Sequence, residues 1–61
     1  MQVNYLQQDL NYLINAGLDV DGRFGNLTKN AVMKYQKKYG LQIDGIYGPK
    51  SYAQMKKLLE G

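Results

Sequence analysis

The sequence predicts an all-α fold, a closed three-helix bundle whose two connections are repeated Asp-Gly corner loops, occupying residues 1–61 as one domain. Three observations carry this. A pattern occurs twice at an offset of 23 positions: Gly17-Leu18-Asp19-Val20-Asp21-Gly22-Arg23-Phe24-Gly25 reads against Gly40-Leu41-Gln42-Ile43-Asp44-Gly45-Ile46-Tyr47-Gly48. A hydroxyl residue follows each copy, Thr28 and Ser51, and the pairing extends to Tyr12 with Tyr35 and Lys34 with Lys57. Between the copies and on either side, apolar residues recur at helical spacing, and Gly17, Gly40 and Pro49 punctuate them. Two copies of one turn, each joining two helices, make a compact duplicated unit.

The first helix is expected from Gln2–Asn4 to Ala16, with Val3, Leu6, Leu10, Leu13 and Ile14 gathered on one face. Gly17 suits the left-handed residue that ends a helix, and Leu18 the apolar residue after it. The second helix begins near Asn26, turns Ala31, Val32, Tyr35 and Tyr39 inward, and ends on Gly40-Leu41 in the same way. Gly48-Pro49 opens the third, because proline is accommodated in a first helical turn. Its inner face is read as Tyr52, Met55, Leu58 and Leu59. Helices are therefore expected near 3–16, 26–39 and 49–60.

Each corner repeats one logic. Val20 and Ile43 are single apolar residues in short extended segments, expected to point inward beside Phe24 and Tyr47. An aspartate followed by glycine is turn chemistry: the carboxylate accepts from amides two or three residues on, and glycine takes φ > 0. Thr28 and Ser51 fall in the next helical turn, where a hydroxyl can bond the aspartate of its own copy. Asp21 and Asp44 read as corner braces.

Composition narrows the chemistry. With 61 residues there is room for one small core, and no cysteine is present to staple it. The net charge of +3 rests mainly on Lys34, Lys37, Lys38, Lys56 and Lys57, read as a solvated face. Arg23 is the single arginine, too few for a nucleic-acid stripe. No apolar run has the length of a membrane span, and the start carries no leader pattern. The absence of histidine and cysteine removes Ser-His and Cys-His nucleophiles and the usual zinc sets. Glycosidase chemistry needs two carboxyls with different environments. Asp21 and Asp44 sit in matching ones. No catalysis is expected.

Calcium is excluded on spacing. Setting Gly22 at the invariant glycine of an EF-hand loop puts Asp19 and Asp21 at acceptable positions, but Gly17 and Thr28 fall where carboxylates are required. The second copy fails at the same anchors with Gly40 and Ser51. No metal and no cofactor are expected.

Six tyrosines with one phenylalanine and no tryptophan leave a distinctive aromatic set. Tyr35, Tyr39 and Tyr52 map to inner faces, with hydroxyls expected to reach the surface. Tyr5 and Tyr12 lie well off the apolar centre of the first helix. They either pack against a neighbour or form an exposed strip suited to sugar faces and peptide stems.

The run Val3-x-x-Leu6-Gln7-x-x-Leu10-Asn11-x-Leu13, then Asp21-Gly22-x-Phe24-Gly25-x-x-Thr28-x-x-Ala31-Val32-x-x-Tyr35-Gln36, then Gly40-Leu41-x-x-Asp44-Gly45-x-Tyr47-Gly48-Pro49-x-Ser51 resembles the peptidoglycan-binding domain of bacterial and phage cell-wall hydrolases. The likeness covers nearly the whole chain, with Tyr35 where that family mostly has Phe and Ser51 where Thr is commoner. It implies a non-catalytic module that binds peptidoglycan, through glycan strand or stem peptide, and targets a tethered catalytic domain to the wall. A monomer is expected, located outside the cell and without nucleic-acid or membrane partners. The alternative is a protein-interaction domain that docks on its own catalytic domain or another protein. The ligand-binding residues expected are Arg23, able to grip a stem carboxylate bidentately, Tyr12 and Tyr47 as apolar walls, and Asn26 at a helix start. None of the four is demanded by the core pattern as Phe24, Val32 or Leu41 is.

Overall fold

A computed structural model describes residues 3–60. It contains α1 (Val3–Ile14), α2 (Asn26–Lys38) and α3 (Pro49–Glu60), and no strand among the described residues. The body measures 25 × 23 × 20 Å. The expected start of α1 at Gln2 lies outside the described residues.

The helix ends follow from specific residues. α1 stops at Ile14, two residues short of the expected Ala16, because the chain turns left-handed at Asn15 (φ 53°) before it does so again at Gly17 (φ 68°). Asparagine tolerates that region better than other residues with a Cβ. Asn11 then fastens the departing segment: its Nδ2 donates to the Leu18 carbonyl at 2.9 Å, and the Leu18 N–H donates to Asn11 Oδ1 at 2.7 Å. The Lys38 ammonium donates to the Leu13 carbonyl at 3.2 Å, placing a cation on the electronegative end of α1. Lys38 is thus more than part of a solvated face.

α2 ends as its Gly40-Leu41 pair predicts. The Leu41 N–H bonds the Gln36 carbonyl at 2.8 Å and the Gly40 N–H bonds that of Lys37 at 3.4 Å, with Gly40 at φ 71°. Pro49 opens α3 where expected.

Leu6 and Leu10 of α1, Ala31, Val32 and Tyr35 of α2, and Met55 of α3 form the buried core. Leu13, Leu18, Tyr39, Leu41, Tyr47 and Leu58 pack around it half-buried, so Tyr47, expected as a residue the core does not demand, also serves the core. Truncating a side chain as enclosed as Leu10 would cost about 2–5 kcal/mol. The Tyr35 and Tyr39 rings meet at 5.2 Å between centroids. The Tyr35 hydroxyl does not reach the surface as expected; it donates to the Ser51 carbonyl at 3.0 Å inside the core. Burial pushes that hydroxyl up to about 12, so it stays a donor.

Five residues expected to face the core do not. Val20 is 44% exposed, and Ile43 and Phe24 are exposed too, because amide hydrogen bonds rather than apolar plugs fill the insides of the corners. On α3 the buried line runs through Ser51 and Met55 to Leu58, which rotates Tyr52 and Leu59 out to the flank. Tyr12, paired by the repeat with fully buried Tyr35, is 80% exposed. The repeat holds through the corners and fails in the helices before them.

Candidate functional site

Two buried glutamines build the corners. Gln7, on α1, donates from Nε2 toward Asp21 Oδ1, the Arg23 carbonyl and Thr28 Oγ1, each at 3.0 Å. Its Oε1 accepts the N–H groups of Asp21 at 3.0 Å and Gly22 at 3.1 Å. Gln36, on α2, makes the same set to Asp44, Ile46 and Ser51 at 2.9–3.3 Å, and accepts from Asp44 and Gly45. Each aspartate also receives the N–H two residues on, from Arg23 and from Ile46, at 2.9 Å. These backbone bonds first, and the glutamine amides second, hold both carboxyls below the ordinary carboxylate range. Among the described residues no buried side-chain nitrogen or oxygen lacks a partner.

The expected hydroxyl-to-aspartate bond is replaced by a bridge. Thr28 Oγ1 receives from Gln7 and faces the Arg23 carbonyl at 3.4 Å, while Gln7 itself reaches the aspartate. Neither glutamine stands out in the sequence as a brace. Their signal was a polar residue inside an otherwise apolar arc, beside Leu6 and beside Tyr35.

Among the described residues, depressions lie at both corners and between two of the helices. One of about 260 Å³ lies at the first corner, between Leu18, Asp21 and the start of α2, and is lined by Arg23 and Asn26. Its counterpart of about 330 Å³ lies at the second corner among Leu41, Asp44 and the start of α3. Equivalent backbone thus makes equivalent hollows, but their side chains differ. Where the first presents Arg23 and Asn26, the second has Ile46 and Pro49. The first thus carries a guanidinium and the Asn26 amide, and the second carries the Lys50 ammonium and the Gln42 amide, so the two differ in the fork geometry that only Arg23 offers. Gly25 caps α2 without a side-chain bond, and the first turn of that helix, Asn26 to Thr28, lines this hollow.

The third depression is a groove of about 560 Å³ between α1 and α3, with Tyr5, Tyr47 and Tyr52 on its walls. Of the four expected site residues, then, Arg23 and Asn26 come together, Tyr47 lines the separate groove, and Tyr12 lines none of the three depressions. Tyr5 and Tyr52 join Tyr47 although neither was proposed for binding. No cluster of three or more potential metal ligands occurs among the described residues.

Comparison with known proteins agrees with this architecture. Residues 2–55 match the family described as "Putative peptidoglycan binding domain". A "Probable N-acetylmuramoyl-L-alanine amidase" of Bacillus licheniformis is 54% identical over 41 residues, 67% of this chain and 12% of that protein. An N-acetylmuramoyl-L-alanine amidase of Mycobacterium tuberculosis is 54% identical over 44 residues, covering 72% and 10%. A zinc D-Ala-D-Ala carboxypeptidase of Streptomyces albus G is 46% identical over 43 residues, covering 70% and 17%. The comparison with solved structures returns no match. The chain belongs to the peptidoglycan-binding domain family. It spans between 10% and 17% of these three relatives, so what it shares with them is a non-catalytic binding module rather than the whole of a hydrolase.

Proposed function

We propose that this chain is a single, monomeric domain that holds an attached cell-wall hydrolase on peptidoglycan outside the cell, in a bacterial or phage-encoded protein. The observation that carries the reading is the family match across residues 2–55, in relatives named for different reactions, amidase and D-Ala-D-Ala carboxypeptidase. A module common to enzymes of different bond specificity recognises the polymer and leaves bond choice to its partner domain. Modest affinity suffices, because a tethered enzyme on a repeating polymer meets its next site at high effective concentration.

The polar contact is assigned to the first corner, where Arg23 offers a bidentate grip on a stem carboxylate and Asn26 an amide beside free helix N–H groups. Tyr12 and Tyr47 supply apolar contact on separate parts of the surface. The competing reading is a protein-interaction domain that docks on its own catalytic domain or another protein, for which the exposed rings of Tyr5 and Tyr12 would serve. Nucleic acid and membrane are not proposed as partners; no helix among the described residues is long and apolar enough to cross a bilayer.

Co-sedimentation of the domain with purified, protein-free sacculi tests the reading. The domain is expected in the pellet, with no release of soluble muropeptides. A domain left in the supernatant at every concentration would overturn it.

A further inference from the structure

The groove between α1 and α3 is chemically unlike either corner. Its floor is Leu6 and Met55, both buried, and its walls are Tyr5, Tyr47 and Tyr52. Tyr5 and Tyr52 are 60% and 54% exposed, so their rings offer flat apolar faces to a ligand. Polar groups stand among them in a particular balance: Asp9 and Glu60 against one ammonium, Lys56.

That balance discriminates between the two halves of the polymer. A stem peptide bearing free carboxylates would meet two acceptor-only groups of like charge. A sugar presents hydroxyl and amide N–H donors that carboxylates accept, and apolar ring faces that stack on tyrosine. Partial burial pushes the Asp9 carboxyl up, a sign that water has been thinned around it, and hydrogen bonds made there are strengthened by the lower local dielectric. The Tyr47 hydroxyl is also pushed up, mainly by burial, and remains a donor for a ring or carbonyl oxygen. A floor of leucine and methionine suits the methyl of an acetamido group. The size falls in the ordinary range of small-ligand sites, roughly 300–1,000 Å³.

We propose that this groove is a glycan subsite, taking an N-acetylated hexosamine of the wall polymer stacked between Tyr5 and Tyr52, with Asp9 accepting from its hydroxyl or amide groups. The assignment rests on the peptidoglycan-binding reading and gives it a ligand half: the strand lies along α1 and α3, away from the first corner.

Titration of the labelled domain with the tetramer of N-acetylglucosamine, followed by amide resonances, tests it beside sacculus sedimentation of Tyr5→Ala, Tyr52→Ala and Asp9→Asn. The tetramer should move the signals of Tyr5, Asp9, Tyr52 and Lys56. Each tyrosine variant should raise the half-saturating concentration of sacculi about tenfold, since a lost stacking face is a kcal/mol-scale change. Because both rings are more than half exposed, their melting temperatures should stay near the parent's. Three results would overturn the subsite while wild-type sedimentation leaves the module reading intact: no groove signal moves with the tetramer, the tyrosine variants pellet like the parent, or a free stem peptide moves the groove signals instead. Failure of the wild-type domain itself to pellet would overturn both.

Discussion

Gln7 stands 14 positions before Asp21 and Gln36 only 8 before Asp44, yet the two side chains make the same bonds to their corners. The corners repeat at one offset and their braces at another. The extra residues of the first copy are the rest of α1 and the segment leaving it, which Asn11 ties down through Leu18. In the second copy the helix ending at Gly40 does that work through backbone bonds alone.

Replacing either brace should therefore be costly. Gln7→Ala and Gln36→Ala each strand buried amides, a carbonyl and a hydroxyl, and a loss of about 1–3 kcal/mol is expected for each. Urea unfolding followed by circular dichroism measures it. The neighbouring exposed Gln8→Ala serves as control and should stay within about 0.5 kcal/mol of the parent. Equal midpoints for Gln7→Ala and Gln8→Ala would refute the brace.

Two glycines of the first corner should respond unequally. Gly22 has φ 76°, so alanine there is strained by about 1–2 kcal/mol although nothing crowds the added carbon. Gly25 has φ −95° with open space around it, so alanine meets neither strain nor clash; its stiffer unfolded chain is offset by its poorer N-capping of α2, and the net change should stay within about 0.5 kcal/mol. Thermal melts of the two variants give the comparison directly.

Acid should weaken the fold through both corners at once. The carboxyls of Asp21 and Asp44 lie below their ordinary 3.8 in the folded chain, so the unfolded state binds more protons. Their contribution is complete above 3.8, and is lost as pH falls from there through the folded values. Asp9, raised by partial burial, acts in the opposite sense. Melting temperature should hold from about pH 7 to 5 and drop below about 4; Asp21→Asn/Asp44→Asn should flatten that drop, and an unchanged slope would contradict it.

Arg23→Ala tests the polar contact. Its guanidinium is exposed and its backbone N–H, which serves Asp21, survives the substitution. Sedimentation with sacculi should weaken about three- to tenfold while the melting temperature stays nearly fixed. Asn26→Ala should act in the same direction more weakly. If binding is unaltered by both, the first corner is not a contact.

Much of the fold was legible because its punctuation is local. Gly40-Leu41 and Pro49 act on their own neighbours, and α2 and α3 begin and end within a residue of where those signals put them. Asn15 was passed over because an asparagine that takes a left-handed turn is spelled like any other. The corner interiors were misjudged for a different reason. Val20 and Phe24 look like plugs until Gln7, far off in sequence, is known to fill the space. Of the candidate site, Arg23 and Asn26 could be read as residues the core does not need. That Tyr5, Tyr47 and Tyr52 converge on one groove depends on how α3 is rotated against α1, and Tyr52 had been placed on its inner face.

The unequal spacing of the braces also sets an order of assembly. Closing the shorter segment between Gln36 and Asp44 costs less chain entropy than closing that between Gln7 and Asp21, by about 0.5 kcal/mol for flexible loops of those lengths. On chain entropy alone the second corner is expected to close before the first. Refolding rates would register this as a larger slowing by Gln36→Ala than by Gln7→Ala at equal loss of stability. A duplicated corner would thereby acquire a direction, its second copy closing before its first.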